Sequence, residues 1–513
     1  MIYELLLMFY VLGTMLGLWF VFKKAGQAPW KALVPLYNIW IWLKICNKGW
    51  KWIVGFLIPG INIFVFLLLV VETARVFRRD SFWEQTFGVL MPFVYLPILG
   101  LGKYEYHDPK VDPPAKISET RDWVESIVFA LIAAVLIRGF VFELFSIPSS
   151  SMEKSLMVGD HLIVSKMAYG PRVIMTPLAL PLMHNTIVGT KINSYLGWPQ
   201  LPYHRYPGFG HVKRYDAVVF NFPAGDTVLI NFLDGKYTYY EAVREFGREA
   251  VVNGTAYHPV FGPLGGIRVR PVDKRENYIK RCMGLPGETL QIIDKVVHID
   301  GKPVELPTDA EFDHEVVVAA GFSPDIIFSE CGVSNEDIMM SPNAYDAAGN
   351  RIFRLPLTAE LAEKLKAKST VLAVEQVEYP NDSAQTLYPN APGYYWSVDN
   401  YGPILIPAKG KALKLTLDNL PLYSRVITAY EGNSLEVKDG RIYINGTATD
   451  SYTPKMDYYW MMGDNRHHSQ DSRFWGFVPE DHIVGQAKRV IWSTKKDSFG
   501  VRWERTMRDA NAR

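Results

Sequence analysis

Three short segments of this chain carry residue types that could supply a nucleophile and its base. The first is Ser146-Ile147-Pro148-Ser149-Ser150-Ser151-Met152, with four serines in six positions. Its ordinary reading is a plain linker. The second is Tyr278-Ile279-Lys280-Arg281-Cys282-Met283-Gly284-Leu285-Pro286-Gly287-Glu288, in which a lysine interrupts a strand-like apolar run. Such a lysine either snorkels outward or is buried at a cost. The third is Met462-Gly463-Asp464-Asn465-Arg466-His467-His468-Ser469-Gln470-Asp471-Ser472-Arg473, polar and turn-rich. A serine hydroxyl is a poor nucleophile until a base takes its proton. A lysine can be that base only when neutral, and burial among apolar side chains favours the neutral amine. Ser151 and Lys280 therefore form a candidate Ser-Lys pair, a variant of the triad logic. Their 129-residue separation leaves it to the fold to bring them together.

The elements that must position these residues differ sharply along the chain. Four apolar runs occupy residues 3–21, 52–71, 87–101 and 127–145. A bilayer-crossing helix needs roughly 20 such residues. The first two runs meet that length, the fourth nearly does, and the third is marginal. One isolated run could be a buried core helix, but four within 146 residues predict a membrane domain. Residues 32–45 are apolar and aromatic, but Pro35 and Asn38 point to an interfacial or re-entrant segment. The first run lacks a basic start and a small-x-small site, so it does not read as a cleavable leader. Lysine- and arginine-rich loops at 23–51 and 103–121 read as cytoplasmic, which sends the chain after Phe145 to the outside. Arg75, Arg78 and Arg79 break the alternation, so the number of earlier spans stays open.

Beyond residue 146 strand-like runs dominate, at 161–168, 217–222, 278–283, 290–300, 434–445 and 483–493. Only 358–368 looks helical, with Thr358 as its cap. Asp300-Gly301 and Asp439-Gly440 predict tight hairpin turns. The expected fold is an N-terminal α-helical membrane domain followed by a mostly β extracytoplasmic domain. With 513 residues, more than one domain is required. A net charge of +1 excludes nucleic-acid binding through a broad basic face. Three cysteines (Cys46, Cys282, Cys331) exclude a disulfide scaffold, and no pair has zinc-ribbon spacing. His314-Glu315 lacks the second histidine of a zincin motif.

The ordered segments resemble the signature boxes of bacterial signal peptidase I, the membrane-bound Ser-Lys leader peptidase. The first box extends from Ile147-Pro148-Ser149 through Met152, Gly159-Asp160 and Lys166-Met167-Ala168-Tyr169-Gly170. The second is Lys213-Arg214-Tyr215-Asp216-Ala217-Val218-Val219-Phe220, and the third and fourth hold Lys280 and Gly463 to Arg473. The resemblance covers about residues 122–300 and 434–493. It implies Ser151 as nucleophile and Lys280 as general base. It implies an oxyanion site of the Ser149 hydroxyl and the Ser151 N–H, and Ser469 as the serine that orients the lysine. Arg281, Asp464, Asp471 and Arg473 become supporting charges, and Met152 a residue of the substrate groove. It implies no metal or cofactor. Its substrates are secreted preproteins with small residues at −1 and −3, cleaved at the outer face of the cytoplasmic membrane.

On this reading residues 1–103 form a membrane domain with about three spans, 104–121 a cytoplasmic loop and 122–146 a further span. Residues 147–304 and 434–513 are two parts of a catalytic β domain around an inserted subdomain, 305–433. The sequence departs from the family pattern at His467-His468, where an Asp-Asn pair is usual, and at Glu153-Lys154 after Met152. The histidines admit a rival Ser-His-Asp triad, although they replace noncatalytic positions. Two further alternatives are an inactive membrane-anchored β-domain adaptor and a Ser-Lys self-cleaving repressor. Intact Ser151, Lys280 and Ser469 oppose the first, and the absence of a DNA-binding helix pair opposes the second. Between Tyr169 and Lys213, Ile174, Met175, Leu178, Leu180, Tyr195, Leu196, Trp198, Tyr203 and Tyr206 form either ordinary core or a lip dipping into the bilayer interface.

Overall fold

A computed structural model describes residues 2–57, 61–112, 119–233, 237–333, 335–342, 344–381, 386–495 and 500–511. The chain divides into two units, Met1–Val141 and Phe142–Arg513.

The first unit is helical. The first apolar run forms the helix Ile2–Lys24, and Lys51–Leu57 and Ile61–Val76 cover the second run. Phe82–Leu90 and Pro92–Leu101 cover the third and meet at a 120° bend. Residues 32–45 hold the end of a short turn, Pro29–Leu33, and the helix Tyr37–Ile45. Glycines bring Ile2–Lys24 close to Pro92–Leu101: a Cβ on Gly17 would lie 2.5 Å from the Cβ of Leu96. Lys24 Nζ then donates to the carbonyls of Leu99, Gly102 and Tyr104, in the last turn of Pro92–Leu101 and just beyond it. Among the described residues no single helix is long and apolar enough to cross a membrane, but the bent pair passes that test of length and composition together. Residues 113–118 of the expected cytoplasmic loop lie outside the described residues.

The fourth run is helical only as Glu119–Phe140. Its last residues instead form strand β1, Phe142–Ser146. The reason is local: Phe142, Leu144 and Ser146 alternate with Glu143 and Phe145 in exposure, a period of two. Glu143 is paired with Lys166 at 2.8 Å.

The second unit is mostly β. Its main sheet contains β1, β2 (Asp160–Ser165), β3 (Ala217–Asn221), β4 (Asn277–Gly284), β5 (Tyr458–Met462), β6 (Val478–Pro479) and β7 (Ile483–Ser493). The strands run in the order β1-β2-β7-β3-β4-β5-β6, all antiparallel. β3 is buried on both faces. Val218 and Phe220 join one core with Cys282 and Met461, while Ala217 and Val219 join another with Met152 and Leu162. A central strand buried on both faces explains its nearly continuous apolar run.

Residues 290–300 form two strands, Thr289–Ile293 and Val296–Ile299, rather than one. Residues 434–445 likewise form Leu435–Lys438 and Arg441–Ile444. Both Asp-Gly turns occur as expected: Asp300 and Gly301 have φ of 51° and 76°, and Asp439 and Gly440 have 49° and 71°. Phe312–Val318, Ala344–Tyr345, Arg351–Leu357 and Val371–Gln376 make a separate sheet, packed against Pro324–Cys331 and Ala359–Lys366 around Val316, Phe328 and Leu355. Thr358 caps the second of these helices by accepting from Leu361 N. Further helices not read from the sequence are Tyr239–Phe246, Arg248–Val252 and Leu420–Arg425. The first opens on a capping box between Thr238 and Glu241, a legible signal. All three cysteines are buried and free.

Candidate active site

Lys280 lies in β4, paired with Val218 of β3. Arg281 and Cys282 follow within the buried half of the strand. Lys280 is only 4% exposed, and its Nζ donates to Ser151 Oγ at 2.6 Å. Its other hydrogen bond goes to the Ile279 carbonyl at 3.1 Å. Burial pulls the pKa of Lys280 down to about 8, against the opposing pull of Asp471 and Asp464. Ser151 sits in the short turn Ser150–Met152, which follows an extended Ser149. The Ser149 hydroxyl lies 3.5 Å from that of Ser151, and Met152 is wholly buried beneath them.

The loop after β5 closes the site from behind. Asn465 N donates to the Ser151 carbonyl at 3.2 Å. A Cβ on Gly463 would lie 2.2 Å from Ser469 Oγ and 2.5 Å from the Ser151 carbonyl oxygen, so only glycine fits there. Two ion pairs hold this loop. Arg281 reaches Asp464 at 2.6 Å, with neither side chain exposed, and also donates to the Tyr215 carbonyl. Asp471 pairs with Arg473 at 2.8 Å and accepts from Gly463 N at 3.0 Å. Arg473 extends to the carbonyls of Arg466 and Val398. Both charges of each pair are thus compensated and hydrogen-bonded, the condition under which such pairs persist.

Ser469 differs from expectation. It is buried beside the nucleophile, but its hydroxyl has no hydrogen-bond partner among the described residues. The bond that would orient Lys280 is not formed. Nor do the histidines reach Ser151 as a triad base. His467 Nε2 meets Asp399 Oδ1 at 2.8 Å while its Nδ1 accepts from Asp313 N, and His468 Nε2 meets Asp313 Oδ1 at 2.7 Å.

These aspartates were missed in the sequence, and they share a location. Asp313 and Asp399 belong to the stretch 305–433, read from the sequence as an inserted subdomain, as does Glu311. Glu311 accepts from Arg466 N and donates to the Asp464 carbonyl through its backbone, both at 2.9 Å. Its carboxyl is 3.8 Å from Lys154 Nζ. Three of the four departures (Lys154, His467 and His468) therefore meet acidic residues of that stretch. The pair His467-His468 was the available sequence signal, because buried imidazoles call for acceptors.

A groove of about 470 Å³ runs past Ser149, Ser151 and Lys280. Its walls are largely apolar, with Phe145, Ile147, Met152 and Ile279 among them, and His468 and Gln470 add polar groups. A buried amine with a lowered pKa, bonded to a serine hydroxyl in the lining of a groove, has the parts of a nucleophile and its base. Of the aromatic stretch after Tyr169, Met175 and Tyr195 are core, whereas Leu178, Leu180, Leu196 and Tyr206 are exposed and Trp198 is 82% exposed.

A family model described as "Signal peptidase, peptidase S26" matches residues 120–344 and 455–492, more than half of the chain. A second, "Family of unknown function (DUF5684)", matches residues 30–109. The chain is 25% identical over 413 residues to "Signal peptidase I" of Haemophilus influenzae, covering 78% of each protein. It is 22% identical over 399 residues to "Signal peptidase I" of Buchnera aphidicola subsp. Acyrthosiphon pisum, covering 76% of this chain and 81% of that protein. A 42-residue stretch is 58% identical to part of "Signal peptidase I" of Aquifex aeolicus, 8% of this chain and 16% of that protein.

Proposed function

This chain belongs to the signal peptidase family, peptidase S26, and is a peptidase; from that premise we propose that it removes signal peptides from secreted preproteins by Ser-Lys acyl-enzyme catalysis. The observation that carries the mechanism is the 2.6 Å bond between the buried Lys280 amine and Ser151 Oγ. Neutral Lys280 takes the hydroxyl proton as Oγ attacks the scissile carbonyl. The Ser151 N–H and the Ser149 hydroxyl stabilise the oxyanion. Protonated Lys280 then gives its proton to the leaving amine, the C–N bond breaks, and an acyl-Ser151 ester remains. Lys280, neutral again, takes a proton from water, the resulting hydroxide attacks the ester, and Ser151 recovers its proton as the acid leaves.

Arg281, Asp464, Asp471 and Arg473 act by holding the Gly463–Arg473 loop against Ser151. The groove's apolar walls suit small residues before the cleaved bond. Residues 305–433 are read as an insertion in the catalytic domain; the family model's gap at 345–454 supports this for residues 345–433, while 305–344 lie within the match. The protein is read as a multi-pass protein of the cytoplasmic membrane with catalysis at the outer face. Its apolar N-terminal helices and the exposed Leu196–Trp198 region support that reading. The test is preprotein cleavage by the full chain in detergent. Ser151→Ala and Lys280→Ala should each lose at least about a thousandfold in rate. Retained activity in either variant overturns the dyad.

A further inference from the structure

The Gly463–Arg473 loop delivers His468 to the groove beside the nucleophile. His468 directly precedes Ser469, whose hydroxyl abuts Gly463, and Gly463 in turn abuts the Ser151 carbonyl. It therefore lines the same groove as the nucleophile Ser151, on a loop that contacts the Ser151 backbone. Its side chain is 48% exposed and forms part of the groove wall.

Asp313 fixes this side chain from behind. The Asp313 carboxylate is wholly buried, accepts from Tyr379 Oη at 2.5 Å and meets His468 Nε2 at 2.7 Å. With Nε2 committed to Asp313, Nδ1 is the ring nitrogen left for a ligand. It has no hydrogen-bond partner among the described residues. The Asp313 bond also raises the pKa of His468, with partial burial and Arg354 opposing and Asp337 adding to the effect. When the ring is protonated, its second N–H, on Nδ1, is aimed away from that anchor. The groove's other charged groups are already engaged: Lys280 holds Ser151, and Glu276 accepts from Asn185 and Arg270.

We propose that His468, locked by Asp313, is a specificity-determining residue that receives the carboxylate of an Asp or Glu side chain in the preprotein next to the cleaved bond. The inference rests on the signal-peptide-cleaving function. A charge-assisted N–H···O⁻ bond in a partly desolvated groove is stronger than a neutral one. His468 thereby adds a charge preference to walls that otherwise read only size.

The test uses the full chain in detergent and a preprotein set that differs only by Glu, Gln or Lys at single positions from three before to two after the cleaved bond. At one position wild type should favour Glu over Gln by about five- to tenfold in kcat/KM, the fold-change expected for one such bond. His468→Gln should bring that ratio to about one, and His468→Glu should invert the preference toward Lys. Each variant is compared with itself across substrates, so loss of folded enzyme cancels. A ratio unchanged by His468→Gln, or no position with a charge preference, overturns this inference. Failure to cleave any preprotein, with Ser151→Ala indistinguishable from wild type, overturns the underlying function instead.

Discussion

Arg281 and Asp464 face each other with two guanidinium nitrogens, Nε and Nη2, at 2.8 and 2.6 Å from the two carboxylate oxygens, and neither side chain reaches solvent. The pair joins β4, directly after Lys280, to the loop behind Ser151. Breaking it from one side leaves an uncompensated buried charge, which costs about 3–5 kcal/mol. Asp464→Ala should lower unfolding stability by that amount in chemical denaturation. A loss below about 1 kcal/mol would show that the pair is not closed in solution.

Activity should follow the charge on Lys280. Its pKa is lowered to about 8, so the neutral form grows as pH rises through that value. Two units below it only about 1% of the amine is neutral, and kcat/KM should fall about a hundredfold from its plateau. A pH profile measured on one preprotein checks this. A rate that stays level down to pH 6 would exclude a lysine base.

The same burial makes Lys280 a stability cost. The folded amine has its pKa near 8 and the unfolded one near 10.5, so the unfolded chain binds more protons between these values. Stability therefore rises with pH across that window, by about 3 kcal/mol in all, and the full cost is present below pH 8. Lys280→Met, inactive, should be more stable than wild type at pH 7 by on the order of 1–3 kcal/mol. That margin should shrink as pH rises above 8. A variant less stable than wild type at pH 7 contradicts this account of the site.

Trp198 and Leu196 stand 82% and 63% exposed, beside Leu178 and Leu180. An apolar, tryptophan-bearing tip of this kind favours the membrane interface. A fluorophore on Trp198→Cys in proteoliposomes should shift to the blue and be quenched by spin-labelled lipid. One on Val437→Cys, half-exposed on the hairpin Leu435–Lys438 and Arg441–Ile444, is the control. The native cysteines are buried and leave the label to the introduced thiol. Absence of lipid quenching at Trp198 removes the bilayer lip.

The β-rich character of the second unit and the positions of β2, β3, β4 and β7 were legible because short apolar runs ended at Gly, Pro or Asp. Lys280 was legible because a lysine amid Ile279, Cys282 and Met283 has few structural uses. Its contact with Ser151 was not, since the approach depends on the β3–β4 register and on the Gly463 loop. The β1 strand was hidden because Phe142, Leu144 and Phe145 continue an apolar helical run and differ only in periodicity. The bond expected of Ser469 failed because matching a position fixes the residue and not the rotamer. The Tyr239–Phe246 helix carried a readable Thr238/Glu241 cap, masked by the surrounding aromatic residues. Asp313 and Asp399 gave no local signal, since their purpose appears only with His467 and His468 in place.

Lys154, His467 and His468 meet Glu311, Asp399 and Asp313. These contacts make the stretch from Glu311 to Asp399 and the active-site loops a single interchangeable part. A chimera that replaces that stretch yet keeps the histidines leaves two imidazoles without acceptors, and one that places an Asp-Asn pair at 467–468 yet keeps the stretch sets a carboxylate against Asp399. Only an exchange of both pieces together preserves the charge balance around Ser151.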